Sequence, residues 1–293
     1  MLNNALGKEI SKLRNEMSMT QKQLCEGICT QPTISMIESG KTIPSLDILN
    51  LISLKLKKPL EHFTNILYFD DYDFINQFTN DIEELTLKQN FKDVHTIVRK
   101  ELRKKNCDDW FKVFLHWQFY LSSYHLKLIG IDEALLNIKS LLTTTPKIIL
   151  QKNFLNIRIL NTVAFLYALK KDYKNSLLYF NKINEIYIPN NSPRLNENIY
   201  YLRIQYNKTK TLYDMEDYDQ AISLCLQGIK ESIEMENMSL IGNFYYYLGQ
   251  CYEKQNYKKE EISSMYLKAL FFFETLNRNI YSNILKKEKS NYF

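Results

Sequence analysis

Five short segments of this 293-residue chain share one pattern, a polar turn closed by an aromatic or aliphatic residue: KQNFKDV, LIGIDEA, KKDYKNS, MEDYDQA and KQNYKKE. Aligned on Phe91, Ile131, Tyr173, Tyr218 and Tyr257, they recur at intervals of 40, 42, 45 and 39 residues, the differences between those positions. A period of that length holds one pair of elongated helices. Such a pair cannot bury its apolar face alone, so successive pairs stack into a solenoid. With 7 Gly and 6 Pro there is little material for hairpins or glycine-rich phosphate loops, while 45% hydrophobic residues can fill a large core. The expected fold class is all-α.

Residues 1–66 do not follow the repeat and read as five short helices. ALGKEISKLRNEM places Leu6, Ile10 and Leu13 on one stripe at helical spacing. Thr20, with Gln23 three residues on, has the form of a capping box, and Leu24 and Ile28 follow as apolar positions. A third helix is predicted from about Pro32 to Ser39, with Pro32 at its first position and Gly40 stopping it. Ser45 caps LDILNLISLKL, and Pro59 opens PLEHF. The expected organisation is a helix-turn-helix domain over 1–66, a linker helix over 67–76, and a repeat domain over 77–293. The last comprises about five helix pairs, with a terminal helix from about Arg278 covering the final repeat.

The net charge of +5 and pI near 8.7 permit an anionic partner without requiring one. Residues 1–66 hold eight Lys/Arg against six Asp/Glu, a balance of +2, so any nucleic-acid reading rests on local geometry. Met1–Ile10 has no secretion-signal character, and no run of 18 uncharged apolar residues occurs, so no membrane partner is expected. Cys25 and Cys29 stand four apart with no second Cys/His pair nearby. They read as buried thiols, with no metal and no cofactor expected, in a reduced, cytoplasmic compartment. Catalytic motifs are missing: there is no G-x-S-x-G, no Walker loop and no dinucleotide fingerprint. His62, His95, His116 and His125 have no ligand spacing, so no enzymatic activity is expected.

Within TQKQLCEGICTQPTISMIESG, Leu24, Ile28, Ile34 and Ile37 can form the seam between two helices held at a fixed angle. Thr30, Gln31, Pro32, Thr33, Ser35, Met36 and Ser39 then fall on the outward face and start of the second helix. Short polar side chains there can reach base edges and phosphates. Gln21, Lys22 and Lys41 flank this face as candidate phosphate contacts. Arg14 and Glu38 are an opposite-charge pair suited to tying helix 1 to the reading helix.

The stretch T-Q-K-Q-L…T-I-S-x-I-E-S-G-K…P-S-L-D-I-L resembles the Xre/Cro-type helix-turn-helix family, in which an Arg and a Glu at the positions of Arg14 and Glu38 pair. Together with WQFYLSSY, YNKTKTLY, SLIGNFYYYLGQCY and ALFFFETL, nearly the whole chain resembles the PlcR-like quorum-sensing regulators, peptide-pheromone receptors of Gram-positive bacteria with TPR-like repeats. The resemblance implies a DNA-binding transcriptional activator. It implies a homodimer on a pseudo-palindromic double-stranded operator, controlled by a short signalling peptide in the concave face of the repeats.

The repeats support this reading independently. Asn161 and Asn207 each lie six residues before the tyrosines Tyr167 and Tyr213, in the same repeat register. An Asn amide offers both donor and acceptor to the backbone of an extended peptide. The resemblance adds Gln118, Asn243 (Gln in PlcR-like members) and Tyr281 to this candidate peptide-binding set. It also marks departures: Leu87 and Gln89 stand where those members carry lysines, and Met36 where they carry Arg. Two alternatives stay open. The repeat domain of a helix-turn-helix regulator can sense another cue (a metabolite, redox state through Cys25 and Cys29, or a protein partner), or it can act as an adaptor or enzyme modulator with a vestigial DNA head.

Overall fold

The computed structural model describes residues 2–68, 72–104, 108–186 and 195–293. These form two compact units, 1–122 and 123–293. Among the described residues the chain is all-helical, with no strand.

The first unit begins with α1 (Leu2–Glu16), α2 (Gln21–Cys25), α3 (Gln31–Glu38), α4 (Leu46–Lys55) and α5 (Leu60–Tyr68). Thr20 closes the capping box on α2: its hydroxyl accepts from the Gln23 amide at 3.2 Å while the Gln23 side chain accepts from the Thr20 amide at 2.8 Å. Ser45 caps α4. The third helix starts one residue before the expected Pro32. Thr30 is its N-cap and Pro32 sits in the first turn, where a missing amide has no intrahelical acceptor to lose. Gly40 ends it at φ 71°, the left-handed conformation that glycine adopts without steric cost.

Leu6, Ile10, Leu13, Leu24, Ile34, Ile37, Leu49, Ile52, Phe63 and Ile66 close a single core under these helices, with Ile28 packed at its edge. Gly7 lets α1 lie against the end of α3. A Cβ there would come within 2.3 Å of the Ile37 carbonyl oxygen and 2.6 Å of that of Glu38.

The first unit continues through α6 (Tyr72–Leu87), α7 (Phe91–Glu101) and α8 (Asp109–His125), whose last residues pass into the second unit. Residues 69–71 of the expected 67–76 linker lie outside the described residues, and α6 runs without a break through position 76. Trp110 and Phe114 stack at 5.7 Å in the core of this part.

The second unit contains α9 (Ile131–Thr144), the short α10 (Lys147–Gln151), α11 (Leu155–Leu169), α12 (Tyr173–Ile186), α13 (Leu195–Asp214), α14 (Tyr218–Glu234), α15 (Ile241–Lys254), α16 (Lys259–Thr275) and α17 (Asn279–Glu288). Helices pack as the pairs α11–α12, α13–α14 and α15–α16, and the leading helices α11, α13 and α15 lie side by side. The repeat markers are helix starts. Phe91, Ile131, Tyr173 and Tyr218 are the first residues of α7, α9, α12 and α14, and Tyr257 lies two residues before α16. Tyr213 packs on its marker Tyr218 at 5.7 Å and on Tyr247 of the next repeat at 5.5 Å, while Tyr252 stacks on Tyr257 at 4.1 Å. α17 buries Leu285 against α16. No described helix is long and apolar enough to cross a membrane.

Candidate functional site

Two sets of side chains stand out, one in each unit. In the first, α3 turns Ile34 and Ile37 into the core and leaves Gln31, Pro32, Ser35 and Met36 exposed, with Thr33 half-buried beside them. Thr30, Ser39, Lys22 and Lys41 are exposed around that face. Thr30 and Thr33 share a hydroxyl–hydroxyl bond of 2.8 Å, and the Ser39 hydroxyl donates to the Met36 carbonyl at 3.1 Å. Met36, 42% exposed, is an apolar spot in an otherwise polar surface.

Behind this face lies a polar chain. Arg14 donates to Glu38 in bidentate fashion, from Nε to Oε1 at 2.6 Å and from a terminal nitrogen to Oε2 at 3.0 Å. Its other terminal nitrogen donates to the Met19 carbonyl at 2.7 Å, fixing the α1–α2 turn. Gln21 donates from Nε2 to Glu38 Oε2 at 2.9 Å, and Gln31 donates from Nε2 to Gln21 Oε1 at 2.7 Å. Gln21, expected to face a phosphate, therefore has both polar atoms engaged inside the head. Burial alone would raise the Glu38 carboxyl. The hydrogen bonds from Arg14 and then Gln21, with the Arg14 charge, outweigh it and hold the group below its ordinary value.

The second set lies on the leading helices of the repeats. Asn207 on α13 donates from Nδ2 to Oδ1 of Asn161 on α11 at 3.1 Å. That bond uses one donor of Asn207 and one acceptor site of Asn161. The pair keeps the Asn161 amide nitrogen and the Asn207 amide oxygen, the two groups that match the C=O and N–H of one peptide unit. Asn243 on α15 is 3% exposed, with Oδ1 buried and without a hydrogen-bond partner. Burial pushes the Tyr206 hydroxyl up to about 12, and the nearby Asn243 side chain offsets part of that rise. Tyr281 on α17 stacks on Phe273 at 5.4 Å and lies close enough to Tyr206 to raise it further. The structure thus brings Asn161 to Asn207, and Asn243 and Tyr281 to Tyr206.

Gln118 belongs to the first unit. It is 2% exposed, with Oε1 buried and unpartnered. Of the departures noted above, Leu87 is half-exposed at the end of α6 and Gln89 takes a positive φ of 57° in the turn that follows.

Sequence reasoning missed Tyr206 and Tyr246. Tyr246 lies six residues before Tyr252, the register of Asn161 and Asn207, and accepts from Gln250 Nε2 at 2.8 Å. Extending that register by one repeat would have found it. No such rule points to Tyr206. The flanking cations are also new: Arg158 covers the Tyr200 ring at 4.9 Å and Lys210 the Phe165 ring at 5.6 Å.

The cysteines give no support to a redox or metal site. Cys25 is buried. Burial first, then the neighbouring Cys25, raises the Cys29 thiol. Cys225 and Cys251 are buried free thiols, and Cys107 lies outside the described residues. No cluster of metal-ligating side chains occurs among the described residues.

Comparison with known proteins gives consistent matches. Residues 79–293 match the family model described as the RNPP family C-terminal domain, and residues 10–63 match a helix-turn-helix model. The structure of Bacillus thuringiensis PlcR in complex with the peptide PapR7 and DNA is similar at 33% identity, over 96% of this chain and 99% of that one, with a TM-score of 0.86. The apo form of the same protein is similar at 31% identity over 97% and 99%, with a TM-score of 0.66. ComR from Streptococcus thermophilus, in complex with DNA and its signalling peptide ComS, shares the fold at 15% identity over 98% and 99%, with a TM-score of 0.60. No curated protein matches the sequence at a significant level.

Proposed function

The chain belongs to the RNPP family, and on that premise we propose that it is a sequence-specific DNA-binding transcriptional regulator controlled by a short signalling peptide. The observation that carries this reading is the coexistence of two surfaces in one chain. The first is an exposed polar face on α3 backed by an ion-paired head. The second is an Asn161–Asn207 pair on adjacent repeat helices, with the Asn161 amide nitrogen and the Asn207 amide oxygen to spare. The similarity to PlcR, whose structure holds both a peptide and DNA, supports assigning one partner to each surface.

α3 enters the major groove with Gln31, Thr33, Ser35 and Met36 toward base edges. Thr30, Ser39, Lys22 and Lys41 lie toward the phosphates. A homodimer presents two heads to a pseudo-palindromic operator and so doubles the contacts of a short reading helix. The DNA head occupies residues 1–66 and the peptide-responsive repeats residues 77–293.

The peptide lies along the leading helices, its backbone held by Asn161 and Asn207. Asn243 and Tyr281 complete the contact set on these helices. Binding biases the repeats toward one conformation and so shifts the population competent for DNA. The protein acts in the cytoplasm as an activator, with no reaction of its own. The test is operator binding by the purified full chain with and without synthetic short peptides copied from secreted precursors encoded beside its gene. Tightened binding with one of them is expected. Unchanged affinity across all of them removes peptide control.

A further inference from the structure

The polar chain behind α3 has a direction. Glu38 is a carboxylate and only accepts hydrogen bonds, and Arg14 holds it from two nitrogens. Any amide touching it must offer its nitrogen. Gln21 does so, which turns the Gln21 oxygen toward Gln31 and requires Gln31 in turn to offer its own nitrogen. The exposed Gln31 amide is left with its oxygen and one remaining N–H. An adjacent acceptor and donor complement the N6 amino group and N7 of adenine. With the chain reversed, Gln31 would give its oxygen to Gln21 and point both N–H groups outward, the pattern that suits the two acceptors N7 and O6 of guanine.

We propose that Glu38 is a positioning residue for base recognition: clamped by Arg14, it fixes the amide orientation of Gln21 and, through it, of Gln31, so that Gln31 selects adenine over guanine. This rests on the reading that α3 enters the major groove of the operator. The Arg14–Glu38 pair then does more than tie two helices together; it sets the polarity of a relay that ends at a base. A neutral amide at position 38 can accept or donate and leaves that polarity open. The depressed Glu38 carboxyl keeps the acceptor-only form at neutral pH.

The test uses the full-length chain and a randomised double-stranded DNA library, with sequencing of the enriched sites. The affinity ratio between each site and its A·T-to-G·C substitutions then follows. Gln31→Ala identifies the base pair that Gln31 reads. At that pair the parent is expected to prefer adenine roughly tenfold to hundredfold, the range of a bidentate amide contact. Glu38→Gln should bring the ratio to within about threefold. Gln21→Ala interrupts the relay while leaving Arg14 and Glu38 paired, and should do the same even if the Glu38 variant does not fold. A Gln21→Ala protein that keeps the parental ratio overturns the relay, as does a parent that selects guanine at the Gln31 pair. A parent that enriches no sequence, with or without the synthetic peptides of the preceding test, overturns the DNA reading itself.

Discussion

The head and the repeats treat buried polar groups in opposite ways. In the head, Glu38 is saturated: Arg14 and Gln21 occupy its oxygens, and Gln31 is tied to Gln21 in turn. In the repeats, Asn161 and Asn207 use part of their capacity on each other, and Asn243 Oδ1 is buried with none of its capacity met. Saturated groups hold one geometry, as a surface that reads a fixed base pattern requires. Unsaturated buried groups carry a desolvation cost that a ligand backbone can relieve. On the proposed function, the contrast fits rigid recognition at α3 and inducible binding along α11, α13 and α15.

The tightest backbone approach in the head is at Gly7. Glycine to alanine inside a helix ordinarily stabilises by about 1 kcal/mol. Here the added Cβ meets two backbone carbonyl oxygens of α3, so Gly7→Ala should destabilise the head by about 3 kcal/mol, read by hydrogen exchange of the α1 and α3 amides. A stabilised head would show that α1 and α3 do not approach this closely.

The next effect lies in the repeats. Asn243→Leu removes an unmet acceptor and should leave thermal stability unchanged or raise it by up to about 1 kcal/mol, while weakening the response to the signalling peptide about tenfold. The analogous loss of Arg14 in the head, by Arg14→Met, should instead cost stability, because it strands the Glu38 carboxylate. If Asn243→Leu costs as much as Arg14→Met, the contrast between the two regions collapses.

Acid acts on the head through Glu38. The Glu38 carboxyl titrates below its unfolded value near 4.5. Its contribution is therefore complete above that value and is lost as pH falls through the depressed folded value. Stability of the head should decline more steeply below about pH 4.5 in the parent than in Glu38→Gln, as followed by acid titration of the α1 and α3 amide signals.

The smallest effect concerns helix ends. Lys171 and Glu216 adopt φ of 62° and 65° in the turns before α12 and α14, where glycine is the usual residue. Lys171→Gly should raise the melting temperature slightly, a gain of about 0.5–1 kcal/mol. A lowered melting temperature would mean that the lysine side chain holds the turn in some other way.

These turns also show what the sequence could and could not reveal. The markers Phe91, Ile131, Tyr173 and Tyr218 proved to be helix starts because amphipathic spacing and polar turns are local signals. The caps at Thr20 and Ser45 and the stop at Gly40 were legible for the same reason. The register of Asn161 and Asn207 was legible from periodicity, and the structure puts them in contact. The chain from Arg14 to Gln31 was legible only at the ends of its ion pair. The two glutamines meet across a turn, and which atoms they offer depends on a carboxylate 17 residues from Gln21. Tyr206 was invisible for a related reason: in a sequence with 21 tyrosines, no local pattern marks the one that packs beside Asn243.

The most direct test of the account is a titration of the selected operator with the full-length chain, in the presence and absence of its signalling peptide, for the parent and for the Asn161→Ala/Asn207→Ala double variant. The account predicts that the peptide tightens operator binding by the parent about tenfold or more, a coupling of about 1.4 kcal/mol or greater. In the double variant that tightening should be lost. Equal tightening in parent and variant would contradict it, because the peptide would then act without the two asparagines that the repeats bring together.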